Sequence, residues 1–168
     1  GRNDDGSCDV PEPNGGFTAV AAGGHSLGLK EDGSIVAWGD HSHDQCDVPE
    51  PNLDFVAVAC GGFHNVALKA DGSVVAWGMN DFGQCNIPSD DMSVTAVAAG
   101  LYHSMGLLSD GSIVAWGAGQ PGQSGFPHYG QCDIPAPNRD FTSVAAGLYH
   151  SLGLKADGSV LAWGGNAN

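Results

Sequence analysis

The chain has 168 residues, 27 of them Gly and 9 Pro, and its 19 Asp and Glu against 5 Lys and Arg give a formal net charge of −14. That balance argues against partners that read a basic surface, namely nucleic acid and anionic lipid. No apolar run reaches the about 18 residues of a membrane-spanning helix, and the glycine and proline content points to turns rather than long helix.

The chain opens at Gly1 without an initiator Met or a leader, which reads as a processed or excised piece. "NDDGSCDVPEPN" (Asn3 to Asn14) is a short turn-rich segment. "FTAVAA" and "HSLGLK" then alternate in the manner of half-buried strands, Asp32-Gly33 supplies a tight turn, and "SIVAW" returns. A tail, "DQCDVP" (44–49), closes the unit, and its Pro marks the exit from a strand. The same text recurs. Its Asp-Gly turns are Asp71-Gly72, Asp110-Gly111 and Asp157-Gly158, and its tails are "GQCNIP" and "GQCDIP".

His25, His64, His103 and His150 are spaced 39, 39 and 47 residues apart, as are Trp38, Trp77, Trp116 and Trp163. The longer third interval holds "AGQPGQSGFPH", which reads as an inserted surface loop. The units span approximately 17–52, 55–91, 94–138 and 141–168 plus 1–14, all within one repeat domain of residues 1–168. Cys8 is in phase with Cys85, and Asn3 and Asn166 both align with Asn80. The expected fold is therefore an all-β propeller of four tandem blades, about 39 residues each, whose N- and C-terminal segments complete one blade. On this reading 1–14 pairs with the Trp163 blade, in the same chain or a neighbouring one, and removes two open sheet edges.

The frame "VAAGxxHSLxLKxDGxVxAWGxNxxGQ" resembles the repeat of the regulator of chromosome condensation family over nearly the whole chain. It is most similar to the short-repeat bacterial branch, which includes a secreted, seven-bladed β-lactamase inhibitor protein. The resemblance implies a propeller that binds proteins through its loops. It implies contact residues just before the repeat His (Phe63, Tyr102 and Tyr149, with Gly24 in the first unit's slot) and just after Trp-Gly (Asp40). Export from the cell is expected from the same resemblance and from the acidic composition.

The phased His and Trp residues read as structural, with each His bonded to the backbone of the next blade and each Trp buried. "DHSHD" departs from the repeat. His41, His43, Asp40 and Asp44 there form a candidate divalent-metal site, weighed against a plain polar loop. Cys8, Cys46, Cys85 and Cys132 are in phase and read as small apolar filler, with Cys60 apart from them. No nucleophile–base pair and no phosphate loop is present. The expected function is a non-catalytic protein-binding or assembly module without a resident cofactor, whose partner is another protein or a second copy. A metal- or glycan-binding propeller is the alternative.

Overall fold

The computed structural model describes residues 3–165. Its twelve strands form four three-stranded antiparallel sheets, and no helix occurs among the described residues. Blade one is β1 (Phe17–Ala22), β2 (His25–Lys30) and β3 (Ile35–Gly39). Blade two is β4 (Phe55–Cys60), β5 (His64–Lys69) and β6 (Val74–Gly78). Blade three is β7 (Val94–Ala99), β8 (His103–Leu108) and β9 (Ile113–Gly117), and blade four is β10 (Phe141–Ala146), β11 (His150–Lys155) and β12 (Val160–Gly164). The propeller reading of the repeats is the fold.

The Asp-Gly turns differ in detail from the two-residue hairpin that the dipeptide suggests. Only the Gly has a positive φ (79° at Gly33), and Gly33 N–H donates to Lys30 C=O while Lys30 N–H donates to Ser34 C=O. The loop is thus a four-residue turn, 30–33, that ends on a left-handed Gly. The Asp braces it: Asp32 Oδ1 accepts from Ser34 N (3.0 Å) and Ser34 Oγ (2.6 Å), and the three later Asp-Gly-Ser turns repeat this.

The core lies between sheets. Leu27, Leu29 and Ile35 of blade one meet Phe55, Ala67 and Trp77 of blade two. Ala98, Met105, Leu107 and Ile113 of blade three meet Phe141 and Trp163 of blade four in the same way. Each sheet thus has one face toward the preceding blade and one toward the following blade, and the alternation of apolar residues on both faces serves two seams.

The tails cross to the following blade. Gln45 C=O accepts from Trp77 Nε1 (3.1 Å), Gln84 C=O from Trp116 Nε1 (2.9 Å) and Gln131 C=O from Trp163 Nε1 (2.9 Å). Ser7 occupies the equivalent place before blade one, where its carbonyl accepts from Trp38 Nε1 (3.0 Å) and Ser26 Oγ (3.1 Å). This corrects the expected pairing within one chain of residues 1–14 with the Trp163 blade. The phase of Cys8 is right, but a tail serves the blade that follows it, and Trp163 is already bonded to Gln131. Asn166 lies outside the described residues.

Candidate recognition face

A polar relay crosses every internal seam. His25 Nε2 donates to Asn65 Oδ1 (2.5 Å), His64 Nε2 to Ser104 Oγ (2.9 Å) and His103 Nε2 to Ser151 Oγ (3.0 Å). Asn65, Ser104 and Ser151 donate onward to the carbonyls of Gln45, Gln84 and Gln131 (2.7, 2.8 and 2.8 Å). Because each Ser spends its proton on a carbonyl, the His must supply the proton in the first bond, which fixes the Nε2–H tautomer. The His partner is therefore a side chain of the next blade, not the backbone that the sequence suggests. Burial holds His64 and His103 neutral, with pKa values pushed down to about 3 and about 4, and lowers that of His25 as well. His150 is exposed, with no blade described beyond it.

The in-phase thiols close the loops after Trp-Gly. Cys46 Sγ donates to Asp40 C=O (3.3 Å), Cys85 Sγ to Met79 C=O (3.3 Å) and Cys132 Sγ to Ala118 C=O (3.1 Å). All five cysteines are free thiols. Burial pushes the Cys60 and Cys132 thiols up to about 12, which makes them poor nucleophiles.

Phe63, Tyr102 and Tyr149 end the three-residue turns 61–63, 100–102 and 147–149, which join the first two strands of their blades. Blade one has a two-residue turn there, 23–24, and a Cβ on Gly24 would meet Gly62 C=O. Gly24 is thus the counterpart of Gly62, and the aromatic slot is absent from blade one rather than filled by glycine. A second aromatic row was not evident in the sequence. His43, Phe82 and Tyr129 stand two residues before Gln45, Gln84 and Gln131, and each packs on the aromatic of the next blade. Ring centroids are 5.0 Å apart for His43–Phe63, 5.0 Å for Phe82–Tyr102 and 5.3 Å for Tyr129–Tyr149.

The inserted loop adds Phe126, whose ring lies 6.0 Å from Tyr102 and 6.1 Å from Tyr149, and Tyr102 is 6.4 Å from Tyr149. The result is a continuous aromatic surface over blades three and four. Phe126 is 65% exposed and the adjoining Leu148 is 62% exposed. A hollow of about 360 Å³ beside them is lined by Tyr129, Leu148, Tyr149, His150 and Gly165.

Asp40 does not join this surface. Its carboxylate accepts from Ser42 N (2.9 Å), a bond that holds its pKa below the usual carboxylate value. The metal candidates separate. His43 stacks on Phe63 and bonds Ser42 (2.8 Å), while His41, Asp44 and Asp47 place one ligand atom each within 4.8 Å of one another, all exposed. His41 and Asp47, 3.7 Å apart, stand where Asn80 bonds Asn86 (2.8 Å) and Asn3 bonds Asp9 (2.9 Å), so the pair spans its loop as those pairs do.

Residues 55–84, 94–123 and 141–168, more than half of the chain, match the model of the regulator of chromosome condensation (RCC1) repeat. No curated protein matches the sequence. Among solved structures, yeast RCC1 (Prp20) bound to Kap60 superposes with a TM-score of 0.71 at 24% identity, over 88% of this chain and 43% of that chain. Prp20p from Saccharomyces cerevisiae, described with its binding properties to Gsp1p and histones, gives 0.69 at 24% identity over 88% and 45%. The entire ectodomain of the Physcomitrella patens receptor kinase CR4 gives 0.72 at 25% identity over 92% and 43%. The chain spans less than half the length of each of these structures.

Proposed function

The chain belongs to the regulator of chromosome condensation repeat family, and from that premise we propose that it is a non-catalytic module that binds a protein through the aromatic surface of blades three and four. The observation that carries this is the cluster of Phe82, Tyr102, Phe126, Tyr129 and Tyr149, which the repeat frame does not need for its own closure. Exposed rings joined into one surface are costly unless a partner covers them, and rigid aromatics anchor interfaces at low entropic cost. Prp20, a structural relative, is known with Kap60, Gsp1p and histones as protein partners. The formal charge of −14 favours a partner with a basic rim around an apolar centre.

The test is the double substitution Tyr102→Ala with Tyr149→Ala, compared with the unaltered chain in pull-downs from source material. Circular dichroism checks that the strands persist. The expected outcome is a folded protein that loses its partner, and unchanged recovery by the folded variant overturns the reading.

A further inference from the structure

We infer that the two outer blade faces are complementary halves of one seam, and that a second copy of this chain docks on each of them, head to tail. This surface adjoins the aromatic one at His150, which also lines the hollow beside Tyr149, but does not rest on its role. The three seams inside the chain each join a forward face to a backward face by the same relay, and the two outer faces continue that series.

The forward face of blade four keeps every seam residue but leaves them in water. Leu154 is 39% exposed, where its counterparts Leu29, Leu68 and Leu107 are 3%, 4% and 6% exposed. Val160 is 63% exposed, where Ile35 and Ile113 are each 3% exposed. His150 has the place of His25, His64 and His103, yet its ring meets no hydrogen-bond partner among the described residues.

The backward face of blade one has the matching half. Ser26 stands where Asn65, Ser104 and Ser151 stand, and its Oγ already donates to the Ser7 carbonyl as theirs donate to the Gln carbonyls. Its relay lacks only the His, while the aromatic slot of the other seams is absent from blade one. Val20 on this face is 74% exposed, while its counterparts Val58 and Val144 pack into the two core clusters.

A copy of the chain offers both missing parts at once: the His150 face for Ser26, and the Ser26 face for His150. The two faces differ, so the contact is heterologous, and it closes a ring or extends according to its angle. A symmetric face-to-face contact would instead set His against His and leave both hydroxyl sites unused. Each copy has a formal charge of −14, so added salt should strengthen the contact by screening.

The experiment is sedimentation velocity on the full 168-residue chain, at protein concentrations up to about 1 mM, in low and high salt. The unaltered chain is expected to sediment at multiples of 17.0 kDa, more so in high salt. Val160→Asp spoils the forward face and Val20→Asp the backward face. Both positions are exposed, so each variant should fold, which circular dichroism checks. Each variant alone should be monomeric, and their mixture should give a 1:1 dimer, because one intact half of each kind remains. A monomeric unaltered chain overturns the inference, as does association of either variant alone or a mixture that stays monomeric. The Tyr102→Ala, Tyr149→Ala protein should assemble as the unaltered chain does, which separates this contact from the aromatic surface.

Discussion

The seam between the N-terminal tail and blade one and the seam between blades three and four share one hydrogen-bond frame and present opposite chemistry. In the first, the Ser7 carbonyl takes bonds from Trp38 and Ser26; in the second, the Gln131 carbonyl takes them from Trp163 and Ser151. Outside that frame, Asp5 occupies the slot of Tyr129, and the slot of Tyr149 does not exist. Asp4, Asp5, Ser7, Gly23 and Gly24 line a polar hollow there, where blades three and four present rings. The frame draws on backbone carbonyls and buried side chains, so the outer slots are free to carry whatever a partner requires. A second contrast sits in the same places. The later seam contains a buried His, and the tail seam contains none.

Acid should separate the two seams most strongly. His64 and His103 are neutral in the folded chain, with pKa values of about 3 and about 4, against the ordinary value of 6.5. Between those values the unfolded chain binds protons that the folded chain cannot, so stability falls as pH drops from about 6.5 toward about 4. The loss is roughly 1.4 kcal/mol per pH unit for each such His. The Asp of the Asp-Gly turns, held low by Ser34 and its counterparts, add their own loss only below the ordinary carboxylate value. Urea melts at stepped pH check this, and a flat profile between pH 7 and 5 would count against buried neutral histidines. The tail contact of Ser7 with Trp38 has no titrating partner and adds no such loss of its own.

Gly100→Ala should be the most damaging single exchange on the aromatic side. Its Cβ would lie 2.5 Å from Gly147 C=O and 2.5 Å from His103 Nδ1, and the first of these is backbone that cannot turn aside. A loss of about 3 kcal/mol is expected in denaturant unfolding. Gly15→Ala, beside the tail, meets no atom within 4 Å, and should shift stability by about 0.5 kcal/mol or less.

The smallest effect sharpens the contrast from the polar side. Asp44 has φ 58°, at the position where Gly6, Gly83 and Gly130 have 72°, 78° and 78°. Asp44→Gly should therefore stabilise by about 0.5 kcal/mol, read as a small rise in the denaturation midpoint, and a lower midpoint would mean that the carboxylate contributes more than its backbone costs.

Much of the scaffold was legible because it is written four times. Alternation and the Asp-Gly turns mark the strands, and the phased Trp and His mark the seams. The features that escaped lie where distant text meets. Phe82 touches Tyr102 across 20 residues of chain, and nothing local to Phe82 announces this, since its slot holds Asp5, His43, Phe82 and Tyr129 in turn. The tail's destination was misread for a related reason: phase gives the place of Cys8 within a unit, but not which neighbouring blade the unit serves. The missing aromatic of blade one was hidden by the equal spacing of His and Trp, since the deleted residue falls before His25. Only the closeness of Gly24 to Gly62 reveals it. Phe126 gave no signal at all, because an insertion has no counterpart in the other units.

The relay also has a direction. Each His reaches toward the following blade, and no blade reaches back with one. Opening an interior blade breaks two relays, whereas losing blade one or blade four breaks one. Such a line of nearest-neighbour contacts melts from its rims inward, in the manner of a one-dimensional array. The arc is thus least permanent at its two ends, and the rings over blades three and four span from a well-anchored sheet to a weakly anchored one. A partner that grips Tyr102 and Tyr149 together would clamp the rim to the interior, so its binding energy would also count as blade-four stability.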